Sequence, residues 1–301
     1  MPEISVIIPT HNRRLLLERA VESVVNQTFP GAIELVICDD ASTDDTSEFI
    51  DTIESEFRIL YLRNDVNLGP SGTRNRAIRA SAGRFVALLD DDDEWEPSKL
   101  EKCHRALAEN DVLAVVTGVR RVFADGTSRD VAISDEQVRF PKLLAMPAFG
   151  TGSTLVAHNS LIRKVGPFDE SLPFSHEDWD LLVRLASESS IAVVNEPLTT
   201  THASGLKDLS RAEEGRSRFV AKHADLIGQL SARDRRLVLG NHDLHLFRLA
   251  LAHRRFLRAA RYATAASRMH PPLAISVLRS LDLARHGRER LSAAPLPPRS
   301  S

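Results

Sequence analysis

The chain has 301 residues, 43% hydrophobic and 27% charged, an ordinary globular balance that suits one large core, or one domain with a smaller appendage. Cys38 and Cys103 are its only cysteines, too few for a disulfide framework or a zinc site, so a reducing compartment is expected; no window reaches the roughly 18–20 apolar residues of a membrane span. The net charge of −2 hides an asymmetry, since residues 207–301 carry 19 Lys+Arg against 8 Asp+Glu, a net of +11, and residues 1–206 carry 20 against 33, a net of −13.

The first apolar stretch, Ile4–Pro9, lacks a basic flank and ends in proline, so it reads as a strand and not as a signal peptide. Helical spacing follows over Arg14–Asn26, a strand over Ile33–Cys38, and a helix through Thr46, Phe49, Ile50 and Ile53 with Ser42 as its N-cap. Arg58–Leu62 is the third strand, Ser71–Ala80 the third helix, Phe85–Leu89 the fourth strand and Pro97–Glu109 the fourth helix. Strands alternating with such helices imply βαβ units and a parallel sheet. The middle of the chain changes character. Val112–Thr117 and Val119–Phe123 read as strands, followed by an Asp125-Gly126 turn into Thr127–Val131. Glu136–Ala145 reads as a helix, residues 149–153 as a small-residue loop, Thr154–Ala157 as a strand and Asn159–Val165 as a short helix. Asp178–Ala186 is a helix, Ile191–Val194 a strand, and Thr199–Ser204 a polar loop. Beyond residue 205 the pattern is helical and rich in arginine: Ala221–Leu230, Arg233–Ala265 with a break, and Leu273–Ala284. The Pro/Ser-rich Ser292–Ser301 is expected to be disordered.

The unusual residues fall at the carboxyl ends of the first four strands, where open α/β sheets bind ligands. They are Thr10, His11 and Asn12; Asp39 and Asp40; Asn64, Asp65, Asn67 and Gly69; and Asp90–Asp93. Four adjacent acids raise one another's pKa unless a cation or hydrogen-bond donors compensate. Hard oxygen donors of this kind suit Mg²⁺ or Mn²⁺. Alone, the acids could merely open the helix at Glu96–Pro97; four coincidences on one edge favour a ligand site.

Five motifs occur in order: SVIIPTHNR at Ser5–Arg13, DDASTDDT at Asp39–Thr46, NLGPSGTRN at Asn67–Asn75, LLDDDDEW at Leu88–Trp95 and HEDWDLLVRL at His176–Leu185. Together they resemble a family 2 glycosyltransferase of GT-A fold, over about residues 3–205. The resemblance implies a mixed, mainly parallel Rossmann-like sheet flanked by helices. It also implies inverting, Mg²⁺- or Mn²⁺-assisted transfer of a hexose-like sugar from a nucleoside-diphosphate sugar, with UDP favoured. The acceptor would be a hydroxyl of a glycan or lipid-linked glycan in cell-surface polysaccharide biosynthesis. By the same resemblance Pro9, Thr10 and Asn12 lie against the nucleoside. Asp40, or else Asp39, holds base or ribose, although one of them could only cap the next helix. Asn67 and Arg74 lie near the base and phosphates. Asp90 and Asp92 match the Asp-x-Asp motif, with Asp92 leading as metal ligand and Asp90 at the ribose or the metal's water shell. Asp91 stands where the family usually has a small or variable residue, so the donor contact could shift to it. Asp178 leads as general base and Glu177 is the alternative; Asp180 reads as a helix N-terminal charge. His202 is a candidate for the metal shell or diphosphate, and His176 a weaker one. Trp95 and Trp179 read as packing, with an acceptor-facing role open for each.

The resulting division is 1–205 as the GT-A domain (1–110 binding nucleotide, 111–205 binding acceptor), 206–291 as a basic helical extension and 292–301 as a tail. The extension reads either as a peripheral membrane contact or as a cap whose arginines pair with the acidic body. Nucleic acid is not expected as a partner, because no aromatic interleaving or known motif supports it. Localisation is expected to be cytoplasmic, free or peripheral on the inner face of the cell membrane. The competing functions are a non-catalytic nucleotide-sugar-binding or scaffold protein, and a sugar nucleotidyltransferase. The latter would want a glycine-rich phosphate loop that Thr10–Leu16 does not supply.

Overall fold

A computed structural model describes residues 1–145, 151–172, 176–202 and 208–286. Two compact units emerge, one holding residues 1–140, 151–171 and 177–202, the other 141–145, 172, 176 and 208–286.

The first unit begins with β1 (Ile4–Thr10), α1 (Arg14–Val25), β2 (Ile33–Asp39), α2 (Thr46–Ile50), β3 (Arg58–Arg63), α3 (Gly69–Ala80), β4 (Phe85–Leu88), β5 (Asp93–Trp95) and α4 (Lys99–Glu109). It continues with β6 (Ala114–Val122), β7 (Ser128–Val131), α5 (Asp135–Val138), α6 (Thr151–Thr154), β8 (Val156–His158), α7 (Asn159–Val165), α8 (Glu177–Glu188) and β9 (Ile191–His202). The nine strands form one sheet in the order β3-β2-β1-β4-β8-β6-β9-β5, with β7 beside β6. The first four strands are parallel, as is β6 with β9; the remaining pairs are antiparallel. β1 and β2 are buried almost throughout, which is why apolar residues stand on both faces of each, with the buried Ser5 hydroxyl donating to the buried Glu34 (2.6 Å): a parallel sheet covered on both faces has no solvent side to alternate with. Ile4, Val6, Ile8, Leu35, Ile37 and Phe85 meet Leu17, Ala20, Val21 and Val24 of α1 in the main core.

Several elements differ from the sequence reading. The two strands expected over 112–123 are the single strand β6, whose register against β9 slips at Gly118. A Cβ there would stand 2.7 Å from the Glu196 carbonyl oxygen, so the slip requires glycine. The polar loop at Thr199 is strand up to His202, and Thr199–Thr201 pair with Asp93–Trp95, a strand the sequence did not suggest. The helix over 136–145 is broken at Pro141 into α5, capped by the Ser134/Gln137 capping box, and a 3₁₀ turn at Lys142–Ala145. Ser42 does not cap α2: it accepts the Asn12 N–H instead, and the helix starts at Thr46. Thr151–Thr154 is a helical turn, and the next strand starts at Val156. Residues 146–150, 173–175, 203–207 and 287–301, which include Phe149 and Gly150 of the expected 149–153 loop and the whole of the 292–301 tail, lie outside the described residues.

The second unit is helical: α9 (Leu209–Lys222), α10 (Ala224–Gly228), α11 (Ala232–Ala252), α12 (Phe256–Met269) and α13 (Leu273–His286). The expected break after Arg233 falls at His253–Arg255, with Arg254 in the left-handed region at φ 57°. Leu244, Phe247, Ala250, Ala259, Tyr262, Ala266, Leu273 and Val277 make its core. α9 was not anticipated as a separate helix. Its first turn is capped by Asp208, which accepts the Arg211 N–H, and its buried face is only Leu209, Ala212, Gly215 and Phe219. No helix among the described residues is long and apolar enough to cross a membrane.

Candidate active site

β4 runs out into the four acids, and the chain turns back at once: the Asp93 N–H donates to the Asp90 carbonyl (3.1 Å) as β5 begins. The turn gathers carboxylate oxygens of Asp90, Asp92 and Asp93 within 4.8 Å of one another. Asp93 is buried and accepts from Ser153 Oγ (2.5 Å), which in turn accepts the Asp90 N–H (3.0 Å). Burial, then the charge of Asp90, lifts Asp93 well above the usual carboxylate range; the same two causes lift Asp92. Asp91 points elsewhere, accepting from Thr10 Oγ1 (2.8 Å) and Arg13 (3.0 Å), and burial pushes it up to about 6 in spite of that arginine. An all-oxygen donor set whose members resist ionisation together fits a hard divalent cation, which would relieve the repulsion. The residues present therefore fit Mg²⁺ or Mn²⁺.

Behind this turn lies Arg74 of α3, with only 2% of its side chain exposed. Its guanidinium reaches Asp90 (2.6 Å), Glu177 (3.4 Å) and Asp178 (3.7 Å), and it lies over the Phe168 ring at 5.1 Å. Burial opposes its charge, but Asp90, Asp178 and Glu177 outweigh burial and raise its pKa. The sequence places Arg74 near the base and phosphates through the motif around it; the structure makes it the hub of three carboxylates, Asp90 after β4 and the adjacent pair Glu177 and Asp178 of α8. Glu177 and Asp178 open α8, where the unpaired N–H groups of the first turn favour negative charge. Within the pair, Glu177 is sealed against Arg74 while 19% of the Asp178 side chain remains exposed. Asp180 pairs with Arg184 (2.7 Å) inside the protein, and Trp179 is buried. Gly152 of α6 separates the two acid groups. A Cβ there would stand 3.3 Å from both Asp178 Oδ2 and Asp90 Oδ2, so glycine allows the carboxylates of β4 and α8 to close on the backbone between them.

The remaining candidates line the ends of β1 and β2. Pro9 is in β1. Asn12 adopts φ 53°, a left-handed conformation asparagine tolerates, and its Oδ1 accepts the Thr43 N–H (2.7 Å). Asp40 accepts from Asn64 Nδ2 (2.7 Å) and from the Leu68 and Gly69 N–H groups (2.7 and 2.9 Å). Asp39 accepts from the Ser42 N–H (2.8 Å) and the Tyr61 hydroxyl (2.7 Å), with Arg63 at 3.4 Å. Both acids brace the loops around them as well as edging the site. Asn67 is exposed, and its Oδ1 accepts the Gly69 N–H (3.1 Å). His202 ends β9 on Glu94 (Nε2 to Oε1, 2.7 Å) and is outside the three-carboxylate group. His176 belongs to the second unit, edge-on to Phe219 at 6.3 Å.

Sequence reasoning counted Asp93 among the four strand-end acids and Ser153 in the small-residue loop but gave neither side chain a role of its own, and it passed over Lys99. Lys99 is wholly buried: Nζ donates to Thr117 Oγ1 (3.1 Å), Thr199 Oγ1 (3.2 Å) and the Thr154 carbonyl (3.3 Å), and lies 5.1 Å from the Trp95 ring. Burial pushes its pKa down to about 8. Trp95 Nε1 and Thr199 Oγ1 both donate to the Ser153 carbonyl (2.8 and 3.2 Å), so this buried group carries the serine that holds Asp93.

Arg74, Asp90–Asp93 and Gly152 lie within a stretch that known proteins share. The family model for glycosyl transferase family 2 matches residues 5–166, more than half of the chain. The chain belongs to glycosyl transferase family 2. It is thus a glycosyltransferase. UDP-Glc:alpha-D-GlcNAc-diphosphoundecaprenol beta-1,3-glucosyltransferase WfgD of Escherichia coli is 31% identical over 193 residues, 64% of this chain and 73% of that protein. Relatives from Bacillus subtilis and Campylobacter jejuni match over only 51% and 31% of their length. Among solved structures, S. aureus TarS 1–349 superposes with a TM-score of 0.66 at 17% identity, covering 97% of this chain and 90% of that one. The mannosyltransferase PcManGT from Pyrobaculum calidifontis, in complex with GDP-Man and Mn²⁺, gives 0.64 at 19%, covering 97% and 86%. At such identities the likeness establishes the fold, which is GT-A.

Proposed function

We propose that this glycosyltransferase moves a sugar, with inversion, from a UDP-sugar to a hydroxyl of a lipid-linked glycan in cell-surface polysaccharide assembly. The observation that carries the reading is the closure of Asp178, Arg74 and Asp90 around Gly152, beside the three-carboxylate turn. Asp178 is the general base, being the member of the Glu177–Asp178 pair that reaches solvent. It takes the acceptor hydroxyl's proton as that oxygen bonds to the anomeric carbon; the bond from that carbon to the diphosphate oxygen breaks, and its electron pair leaves with the diphosphate. Arg74 fixes both carboxylates in place so that donor and acceptor meet in line. Asp92, Asp90 and Asp93 would hold Mg²⁺ or Mn²⁺, which when bound neutralises charge on the departing diphosphate. His202 borders that shell. Pro9, Thr10, Asn12, Asp39, Asp40, Asn67 and Asp91 form the wall for the nucleoside and ribose.

The UDP-sugar and the lipid-linked acceptor are supported by the name of the WfgD relative, a UDP-Glc enzyme acting on a diphosphoundecaprenol-linked sugar. The metal is supported by the acid turn and by Mn²⁺ in the PcManGT complex. We assign residues 1–205 to donor and acceptor binding (1–110 and 111–205) and residues 206–291 to an extension that keeps the enzyme at the cytoplasmic membrane face. The test is a thermal-shift panel of UDP-, GDP- and dTDP-sugars with Mn²⁺, Mg²⁺ or EDTA, because a ligand that binds only the native state raises its melting temperature. A shift with UDP-sugars that EDTA abolishes is expected. A folded protein that shifts with no donor would remove the donor site as assigned.

A further inference from the structure

We propose that the α11–α12 turn and the outer face of α12 are the surface by which this enzyme docks on an anionic lipid bilayer. The inference deepens the membrane-face reading above and rests on it. α12 buries Ala259, Tyr262 and Ala266, the three- and four-residue spacing of a helix laid on a core. On its other side Leu257, Arg261, Thr264 and Arg268 are exposed at the same spacing. From Arg254 to Met269 the chain has five arginines and no carboxylate of its own. Two of the largest exposed apolar groups of the described residues stand at the tip of this helix: Phe256 at 64% and Leu257 at 91% exposure. They are adjacent in sequence to Arg254, Arg255 and Arg258. The tip cannot turn inward freely, because Arg254 already holds the chain in a left-handed conformation and the Arg255 N–H is tied to the Ala250 carbonyl (2.8 Å).

The composition decides among occupants. A phenylalanine and a leucine facing water, ringed by arginines, match an interface that is apolar inside and negative at its rim. An anionic leaflet offers both: acyl chains for the tip and lipid phosphates for the guanidinium groups. The cationic wall continues into a cavity of about 350 Å³ lined by Glu213, Arg216, Leu246, Arg258, Arg261 and Tyr262. Glu213 receives Arg258 (3.2 Å) and the Tyr262 hydroxyl (2.5 Å), and Asp243 receives Arg216 (2.7 Å). Arg261 remains exposed over the Tyr262 ring face at 5.8 Å. α13 adds Ile275 and Leu278, both more than half exposed, on one side of a helix that also exposes Arg279.

The test is co-sedimentation of the full chain with vesicles of phosphatidylcholine alone or with phosphatidylglycerol added, alongside the double variants Phe256→Ser/Leu257→Ser and Arg254→Glu/Arg255→Glu. Melting temperatures should be unchanged, since these groups are exposed. We expect binding to the anionic vesicles only. The apolar pair should lower the partition constant by about tenfold or more through lost burial, and the charge pair by a similar factor that high salt mimics. Equal binding by wild type and both variants would overturn the assignment, as would failure of the wild type to bind. A wild-type dimer in solution that the Phe256→Ser/Leu257→Ser change dissociates would give the patch to a second copy of the chain. Transfer assayed in parallel on a water-soluble, short-chain acceptor keeps the two readings apart: a wild type that transfers sugar but does not bind the anionic vesicles fails this surface alone, and a wild type that binds them but transfers nothing fails the functional reading alone.

Discussion

The two units handle charge in opposite ways. In the first, acids and bases are buried and each is answered: Arg74 by three carboxylates, Asp40 by three donors, Asp93 by Ser153, Lys99 by three oxygens. In the second, Arg258 of α12 meets Glu213, but Arg261 and Arg268 of the same helix stand in water beside apolar groups that also stand in water. A buried charge costs folding energy unless geometry compensates it, so it marks a place where chemistry is positioned. An exposed charge costs the fold almost nothing and tells instead what approaches from outside.

That contrast can be broken by substitution. The largest effect belongs to Asp178→Asn: an amide cannot accept the proton, so the transfer rate should fall by about 10³-fold while donor binding holds. If Glu177→Gln were the more damaging change in single-turnover assays, the base would be Glu177. Next is Arg74→Met, which strands three carboxylates around an apolar group and should cost about 3–5 kcal/mol in urea unfolding. Lys99→Met sharpens the comparison through pH. The folded-state pKa of Lys99, about 8, lies below its ordinary 10.5. Between those values the unfolded chain holds the proton and the native protein does not, so the buried amine's penalty lifts as pH rises. The stability difference, wild type minus Lys99→Met, should therefore grow by about 3 kcal/mol from pH 8 to 10.5; a flat difference would show the amine charged and compensated. Gly152→Ala should lower transfer by about ten- to a hundredfold by separating Asp90 and Asp178, with a small change in melting temperature. Arg261→Ala, in the exposed stripe, should shift stability by no more than about 0.5 kcal/mol.

What could be read from sequence follows the same division between local and distant causes. β1–β4 and α1, α3 and α4 were legible because their apolar spacing is set by neighbours in the same βαβ unit. The acids at strand ends were legible because a strand's direction fixes where its last residue emerges. β5 was not: Asp93-Glu94-Trp95 has no strand pattern of its own and is extended only because Thr199–Thr201 lie beside it. Those threonines read as a loop because hydroxyls are the currency of turns as well as of buried ladders. Arg74 and Lys99 sit at ordinary helical positions, and what makes each exceptional comes from elements up to 103 residues away. Asp93 was hidden among four like residues; the clue available was that the fourth acid precedes a tryptophan whose ring needs a dry setting. The helix expected over 136–145 failed on Pro141, a breaker visible in the sequence and outweighed by the apolar spacing around it.

The pairing of β5 with β9 also fixes when the acid turn can be completed. Glu94 and His202 are 108 residues apart, so as the chain leaves the ribosome Asp90–Asp93 emerge long before the strand that holds them. At roughly 5–20 residues per second that interval lasts about 5–20 seconds. During it the first four strands can assemble from nearby pieces, whereas the carboxylates wait for a long loop to close. The order of synthesis therefore makes the parallel edge of β1–β4 early and the acid turn late. A nascent chain arrested before Thr199 would carry a nearly finished sheet and four acids with no strand beside them.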